Sequence, residues 1–346
     1  MKIKQLLLLP LALLYGCITC ARNKLFDWNI LPGNKYPIPL ISVGNLSAGG
    51  TGKTPHVAYL VKLLQNDHKV AILSRGYKRK TRGFRLGNKY STYKDIGDEP
   101  LQYKKNHPSI TVAVDESRRS GISLLMKHFP DLDAILLDDA FQHRYVKPGL
   151  SILTTDFHNL YANDYILPSG TLREFHKGAR RADIILVSKT PRVLSPITVR
   201  RITELLKPQK QQKLFFTYIN YGKLIPLYGE RDEVLLGQHG NVLLFSGIAN
   251  IYPLKEHLAS VYKNVYSMKF PDHHAFTKKD ILKVRRNFED ILSRKKLVIT
   301  TEKDAMRLKT EALKPFIQDL PVYYIPIEIK FHNEDNVIFD ALILDY

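Results

Sequence analysis

The chain has 346 residues, 44% of them hydrophobic, which is long enough to bury a sizeable core and favours two domains. Lys and Arg number 52 against 33 Asp and Glu, and the formal net charge of +19 predicts an anionic partner: nucleic acid, a membrane surface or a phosphorylated substrate. Two cysteines exclude a disulfide framework, so a reducing compartment is the simpler interpretation.

The first predicted element is an apolar run from Leu6 to Cys20, with Lys2 and Lys4 before it and further basic residues after it. Its 15 residues fall short of the ~20 that a helix needs to span a bilayer. The run alone leaves three interpretations open: a cleaved signal peptide, a lipoprotein signal processed at Cys17, or an uncleaved helix that docks on the membrane. Cys17 and Cys20 have no second cysteine pair, so we interpret them as ordinary residues of the apolar run rather than as zinc ligands or a redox pair.

A glycine-rich loop joins a predicted strand at 38–43 to a predicted helix at 57–64. The residues of this loop are Ser47, Ala48, Gly49, Gly50, Thr51, Gly52, Lys53 and Thr54. Glycines let consecutive backbone N–H groups surround an anion, and the following helix adds its positive end. Lys53 is then expected at the β and γ phosphates of a nucleoside triphosphate and Thr54 at Mg²⁺, although Ser47 stands where the usual loop has glycine.

The glycine-rich loop also helps to choose among the three interpretations of the N-terminal apolar run. A triphosphate-dependent site belongs in a compartment that contains ATP, and a secreted protein would find none. We therefore predict that the run from Leu6 to Cys20 is a retained membrane-docking helix on a cytoplasmic protein.

Short apolar runs then alternate with helical runs. The predicted strands lie at 70–73, 110–114, 134–137, 151–154 and 184–187, with a helix at 117–127. Buried parallel strands have this apolar, β-branched character. The predicted fold class is therefore α/β, with a doubly wound, mostly parallel sheet of the P-loop NTPase type and ligands at the carboxyl ends of its strands.

A second, smaller α/β unit is predicted to begin near Tyr221. Its strands are expected at 241–245, 265–268, 297–300 and 322–325, and its helices at 254–262, 278–292 and 302–309. The predicted domains are 1–24 for the docking helix, 25–220 for the phosphate-loop domain, and 221–346 for a smaller domain that closes over the cleft.

Carboxylates and a histidine stand where phosphoryl transfer would use them. Asp138 and Asp139 follow a predicted strand, where a phosphate-loop protein holds Mg²⁺ with oxygen ligands. Asp98 and Glu99 lie on a predicted turn, and His273 lies in the second unit. A carboxylate oriented against a histidine can accept the proton of an alcohol, but residue type alone leaves a solvated acid and a structural histidine as alternatives.

In their order along the chain, these motifs resemble the tetraacyldisaccharide 4′-kinase family, membrane-associated enzymes of the lipid A pathway. The resemblance is carried by VGNLSAGGTGKTP at 43–55, SRGY at 74–77, GDEP at 97–100, LDDAFQHR at 137–144, LPSGTLRE at 167–174, DH at 272–273 and TEKDA at 301–305. The family's loop also lacks the first glycine, which accounts for Ser47. The chain departs from the family at Ala140 and Lys78, where glycine is usual, and neither change removes a reacting group.

The resemblance implies that ATP and Mg²⁺ support transfer of the γ-phosphate to the 4′-hydroxyl of a tetraacyldisaccharide 1-phosphate, which gives lipid IVA. It implies that Asp98, assisted by His273, takes the hydroxyl proton while Lys53 contacts the phosphates. It also identifies Asp138 and Asp139 as the Walker B acids. The full set of metal candidates is Thr54, Asp138, Asp139 and Glu99.

Four cations near these motifs are candidates for contact with substrate phosphate, with surface ion pairing as the alternative. They are Arg75, Arg144, Arg173 and Lys303. We expect a monomer on the cytoplasmic face of the inner membrane, in contact with anionic lipid, and no nucleic-acid partner, since no binding motif accompanies the basic charge.

Two other functions stay open from the residues alone. A phosphate-loop GTPase or metallochaperone is one, although Ser188-Lys189-Thr190-Pro191 lacks the acid of a guanine-reading motif. A lipoprotein binding module processed at Cys17 is the other. Nucleotide selectivity would test the first, and the mass of the native N-terminus would test the second.

Overall fold

Two β-sheets and their helices make up the fold of the residues that the structure describes. The computed structural model describes residues 3–229 and 240–346. The strands of the first sheet are β1 Leu40–Asn45, β2 Val70–Ser74, β3 Arg85–Leu86, β4 Thr111–Val114, β5 Ala134–Asp138, β6 Leu150–Asp156, β7 Ile184–Ser188, β8 Lys213–Tyr221 and β14 Ile327–Phe331. Those of the second sheet are β9 Ile225–Pro226, β10 Asn241–Ser246, β11 Asn264–Lys269, β12 Lys296–Thr301 and β13 Val322–Ile325. The α-helices are α1 Ile3–Leu7, α2 Leu9–Asp27, α3 Lys53–Leu64, α4 Tyr93–Ile96, α5 Asp98–Asn106, α6 Arg118–His128, α7 Pro196–Leu206, α8 Tyr252–Val261, α9 Lys278–Glu289, α10 Glu302–Leu308, α11 Lys314–Ile317 and α12 Asp335–Leu344.

The first sheet runs in the order β14-β8-β7-β6-β1-β5-β2-β4-β3 and is parallel except at its edge strands β14 and β3. Alternate side chains of β1 enter different cores: Val43 packs in one cluster with Val57 of α3, and Leu40 packs in another with Ile122 of α6. Burial on both faces explains why the strands appear in the sequence as short apolar runs. The predicted doubly wound α/β class is confirmed.

Strand β1 lies between β5 and β6, so the order of connection reverses on its two sides. Folds of this kind bind ligands in the crevice at the carboxyl ends of the strands beside such a reversal. The loop that follows β1 therefore lies where a ligand site is expected.

The second sheet has the order β11-β10-β12-β13-β9 and is parallel except for β9. The four predicted strands correspond to β10–β13 and the three predicted helices to α8–α10, within a few residues at each end, whereas β9 and α11 were not predicted. The predicted helix from 278 ends earlier, at Glu289, and the predicted strand from 265 begins one residue earlier, at Asn264.

The last strand and helix return to the first sheet, which differs from the predicted 221–346 domain. Ile329 of β14 stands opposite Ile219 of β8 in an antiparallel pair. Phe331 and Phe339 pack against each other with ring centroids 4.8 Å apart, and Tyr59 of α3 lies 5.3 Å from Phe331. The open edge of β8 and this aromatic cluster are the physical reason that the segment from 327 to 344 lies with the larger sheet.

Helix α2 approaches the first unit closely at Gly16. A Cβ atom there would stand 2.5 Å from Phe175 Cζ, so only a residue without a side chain fits. Tyr15 Oη donates to the carbonyl oxygen of Arg173 at 3.0 Å. Elsewhere the helix exposes Leu11, Leu14 and Ile18. Within the described ranges no helix is both long enough and apolar enough to cross a bilayer.

Candidate active site

The glycine-rich loop turns from β1 into α3, which begins at Lys53. Gly49 has a φ of 127° and Gly52 a φ of 83°, backbone conformations that favour glycine. Ser47 has a negative φ, so this position of the loop does not require glycine. The departure from the usual loop pattern therefore carries no backbone strain.

Side chains of the surrounding fold hold the carbonyl groups of this loop. In each case a side chain donates to a carbonyl oxygen of the loop: Asn45 to Ser47 (2.7 Å), Ser188 to Thr51 (2.7 Å), His56 to Gly52 (2.7 Å) and Lys189 to Gly50. Burial lowers the pKa of His56 to about 4, so its ring is neutral and Nδ1–H donates. With its carbonyls paired to the protein, the loop can turn N–H groups toward a phosphate.

Lys53 is held beside one of the two predicted Walker B acids. Its Nζ lies 3.6 Å from Asp139 Oδ1, and Arg173 Nη1 donates to the same oxygen at 3.0 Å. Burial alone would raise the pKa of Asp139, but the charges of Lys53 and Arg173 outweigh it and lower that pKa. Asp139 is therefore ionised, and it brings two cations together next to the loop.

The other acid, Asp138, has an unpaired oxygen. Its side chain is buried, Oδ2 accepts from Tyr103 Oη at 3.3 Å, and Oδ1 has no hydrogen-bond partner. Burial, followed by the negative charges of Glu99 and Asp139, raises the pKa of Asp138 to about 7. A buried carboxylate with a free oxygen and a raised pKa fits a hard cation or the water bound to it.

The other metal candidates lie near Asp138 or are paired elsewhere. Tyr103 is a hydrogen-bond neighbour of both Thr54 and Asp138. Glu99 Oε1 accepts from Lys303 Nζ at 2.9 Å. In the part of the chain that the structure describes, no three or more His, Cys, Asp or Glu side chains are grouped so that they could hold a metal ion by themselves. Mg²⁺ commonly uses only one or two carboxylates and takes its other ligands from phosphates and water, so Thr54 and Asp138 fit this ion.

Asp98 and His273 meet where the two units face each other. Asp98 begins α5 and is 5% exposed, and His273 follows β11 with a φ of 57°. His273 Nδ1 lies 2.8 Å from Asp98 Oδ2. Burial alone would raise the pKa of Asp98, but the hydrogen bond from His273 and the charges of Lys303 and Arg307 together lower it. Because an ionised carboxylate only accepts hydrogen bonds, His273 Nδ1 is the donor.

Helix α10 supplies both of those cations. Lys303 Nζ lies 3.2 Å from His273 Nε2, and Arg307 Nε donates to Asp98 Oδ2 at 3.1 Å. Lys303 was predicted as a substrate contact, and the structure places it between Glu99 and His273. Arg307 was not predicted from the sequence, although Lys303 and Arg307 are four residues apart and share one helix face.

Two predicted cations remain, Arg144 and Arg75. Arg144 Nη2 donates to Asp27 Oδ1 at 2.6 Å and fastens the end of α2, which matches the ion-pair alternative. Arg75 is exposed. Burial, together with the charges of Arg118 and Arg75, lowers the pKa of His143 to about 4.

A buried carboxylate ties α2 to the site. Glu174 Oε2 accepts from Asn23 Nδ2 at 2.6 Å, and Oε1 accepts from Gln142 Nε2 at 3.2 Å and from Arg181 Nη2 at 2.8 Å. Gln142 Nε2 also donates to the carbonyl oxygen of Asn45, next to the phosphate loop, at 2.8 Å. The sequence shows Glu174 only as part of a motif, because two of its partners, Asn23 and Gln142, are distant in the chain.

The fold and this site together define a phosphate-loop α/β protein of the phosphotransferase class. A family model described as Tetraacyldisaccharide-1-P 4'-kinase matches residues 4–345, and the chain belongs to this family. The tetraacyldisaccharide 4'-kinase of Parabacteroides distasonis is 46% identical over 347 residues, which cover 98% of this chain and 94% of that protein. The protein of the same name from Bacteroides thetaiotaomicron is 44% identical over 355 residues, with coverages of 98% and 92%.

A solved structure agrees with these relatives. LpxK from Aquifex aeolicus, in a crystal structure titled as an apo form in complex with ATP, is 28% identical and superposes with a TM-score of 0.74, over 99% of this chain and 100% of that one. The resemblance predicted from the motifs is confirmed. The GTPase or metallochaperone and the lipoprotein module gain no support from these relatives.

Proposed function

We propose that this protein transfers the γ-phosphate of ATP to the 4′-hydroxyl of a tetraacyldisaccharide 1-phosphate, the reaction that yields lipid IVA in lipid A biosynthesis. Membership of the family and relatives of that name over nearly the whole chain support the proposal. The observation that carries the chemistry is the 2.8 Å contact between Asp98 and His273, because it joins a carboxylate of the phosphate-loop unit to an imidazole of the second unit.

The phosphate loop is assigned to ATP. The loop from 47 to 54 and the Lys53 ammonium would bind the phosphates. The N–H groups of Ala48 and Thr51 already donate to the carbonyl oxygens of Thr171 and Gly49, so the other N–H groups of the loop would make the contacts. Thr54 and Asp138 would hold Mg²⁺, with Asp139 and Glu99 as further candidates. When bound, this ion neutralises charge on the phosphates. Arg173, which already shares Asp139 with Lys53, is positioned to add positive charge there.

The Asp98–His273 pair accepts the proton of the 4′-hydroxyl as its oxygen attacks the γ phosphorus. A new oxygen–phosphorus bond forms while the bond from the γ phosphorus to the β–γ bridging oxygen breaks, and the electron pair of that bond leaves on ADP. The ionised carboxylate of Asp98 stabilises the positive charge that arises when the pair takes up the proton. Closure of the smaller unit would exclude water and limit hydrolysis of ATP.

The lipid substrate calls for a membrane surface. We propose that the exposed apolar residues of α2 dock on the cytoplasmic face of the inner membrane, where the net charge of +19 favours anionic headgroups. Arg75 and Arg173 remain candidates for contact with substrate phosphate. Arg144 and Lys303 have protein partners and would act through those. The protein is expected to act as a monomer.

A transfer assay tests the proposal. Purified protein is incubated with Mg²⁺, γ-labelled ATP and a tetraacyldisaccharide 1-phosphate in detergent micelles, with hydrolysis in the absence of lipid as the background and GTP as a second donor. We expect label in the lipid with ATP and little release of phosphate without the lipid. Label that appears only as inorganic phosphate, or transfer that requires GTP, would contradict the proposed function.

A further inference from the structure

Arg307 makes a two-pronged contact with the catalytic carboxylate. Its side chain belongs to α10 and is 2% exposed. Its Nε donates to Asp98 Oδ2 at 3.1 Å, and its Nη2 donates to the same oxygen. A rigid guanidinium that donates twice fixes the direction of a carboxylate more tightly than a single ammonium does.

The guanidinium is itself anchored on its other side. Arg307 Nη1 donates to Asp304 Oδ1 at 2.9 Å. Asp304 is fully buried, and its Oδ2 accepts from Ser246 Oγ at 2.6 Å and from Thr301 Oγ1 at 2.7 Å. The chain of contacts therefore runs from the ends of β10 and β12 through Asp304 to Arg307 and then to Asp98.

One backbone carbonyl serves both partners of Asp98. Gly247 O accepts from the backbone N–H of His273 at 3.0 Å and from Arg307 Nη1 at 3.3 Å. A Cβ atom at Gly247 would lie 2.9 Å from the carbonyl oxygen of Pro271, so the close approach of the loop that carries His273 depends on glycine. The carbonyl group of Gly247, directly after β10, therefore fixes the position of His273 relative to Arg307.

Stability alone does not explain this buried pair. Helices α5 and α10 are already joined by Glu302, which accepts from Gln102 Nε2 at 2.6 Å and from Asn106 Nδ2 at 2.7 Å. Leu101 of α5 also packs in one apolar cluster with Phe245 of the second sheet. Removing two charges from water costs free energy that such an ion pair often fails to return.

We propose that Arg307 is a positioning residue for phosphoryl transfer: it holds Asp98 Oδ2 toward His273 Nδ1 and so keeps His273 Nε2 as the acceptor end of the ring. This inference rests on the proposed function. Arg307 Nη2 also lies 3.4 Å from His273 Nδ1, but both groups are donors, since Nδ1–H donates to Asp98. Arg307 therefore acts through Asp98 and contacts neither the substrate nor His273 Nε2. Its effect should therefore appear in the chemical step and should depend on the Asp98 carboxylate.

A double-mutant cycle tests this dependence. Arg307→Lys keeps the charge and loses the fork, and Arg285→Lys is the matched control, since Arg285 pairs with the exposed Asp319 at 2.6 Å in the same unit. We expect Arg307→Lys to lower kcat by about 10²-fold, the scale of a small misplacement of a catalytic group, while KM for ATP changes less than about twofold. Arg285→Lys should leave both unchanged.

In the Asp98→Asn background, Arg307→Lys should cause no further loss of kcat. The inference would be overturned if the two losses of kcat multiply in the double variant, or if Arg307→Lys has a normal kcat. In either case an active wild-type protein leaves the proposed function intact. Wild type without lipid phosphorylation would overturn both. Thermal unfolding and ATP binding check each variant. If Arg307→Lys does not fold, Arg307→Gln replaces it in the cycle, because its Nε2 is as far along the side chain as Arg Nε while the charge and the Nη groups are lost.

Discussion

Asp98 Oδ2 lies 2.8 Å from His273 Nδ1, although 175 positions separate the two residues in the chain. The contact joins the unit that carries the phosphate loop to the unit built on the second sheet. The two side chains share this hydrogen bond, so the loss of either one should impair the same chemical step.

Asp98→Asn and His273→Asn should each lower kcat by about 10²- to 10⁴-fold, because a positioned proton acceptor contributes that much to such reactions. The dissociation constant for ATP should stay near the wild-type value, since neither side chain belongs to the phosphate loop. The double variant should be no slower than the worse single one. Steady-state kinetics and titration calorimetry measure these quantities, with the exposed Asp67→Asn as control. Wild-type turnover by Asp98→Asn would remove this residue from the mechanism.

Two lysines of α3 allow the loss of a phosphate contact to be distinguished from the loss of a positive charge alone. Lys53 lies 3.6 Å from Asp139 with a side chain 12% exposed, whereas Lys62 pairs with Glu328 and is 69% exposed. Lys53→Met should lower kcat/KM for ATP by at least about 10²-fold, the scale of losing one preorganised cation. Lys62→Met should match wild type. Similar kinetics for the two variants would argue against a phosphate contact at Lys53.

Gly16→Val should weaken the packing of α2. The new side chain would meet Phe175, and overpacking of this kind costs about 1–3 kcal/mol. Valine is a better helix former than glycine, so a loss of stability in Gly16→Val would come from the packing. Ala21→Val, on the exposed part of the same helix, shows the effect of valine away from Phe175. Urea unfolding measures the free energy of each variant. Equal stabilities would mean that α2 does not rely on the contact at Gly16.

The buried ring of His56 makes stability depend on pH. Its pKa falls from 6.5 to about 4 on folding because of burial, so between these values the unfolded chain binds a proton that the folded chain does not. This contribution to stability is complete above pH 6.5 and is lost as the pH falls toward 4, by on the order of 3 kcal/mol. Denaturant unfolding at several pH values from 4.5 to 7 gives the free energy of unfolding as a function of pH. This free energy should change less steeply with pH in His56→Asn than in wild type, and as steeply as in wild type in the exposed His68→Asn. A wild-type slope in His56→Asn would contradict this assignment.

The central sheet and the phosphate loop could be predicted because their signals are local. Buried parallel strands such as β1 appear as apolar runs, and the loop residues are consecutive in the chain. Asp98, Asp138 and His273 could be named because each belongs to a short motif. The proximity of Asp98 and His273 could not be derived from composition or spacing, and the family resemblance alone predicted it.

Other features depend on contacts between distant segments. Arg307 and Asp98 are 209 positions apart, and nothing in either local sequence specifies the other as its partner. Strand β14 has an alternating pattern that indicates one buried face, but this pattern does not say which sheet edge it joins. The same holds for Lys303 and Arg144, because a cation near a motif can bind substrate or another side chain, and the local sequence does not distinguish these two roles.

The position of the transferred phosphate tests the central claim most directly. The lipid recovered from a reaction with ATP is analysed by mass spectrometry and by ³¹P NMR with proton correlation. The account predicts a gain of one phosphate, located on the 4′-oxygen with the 1-phosphate retained, and no such product from Asp98→Asn. A lipid of unchanged mass, or a new phosphate on any other oxygen, would contradict it.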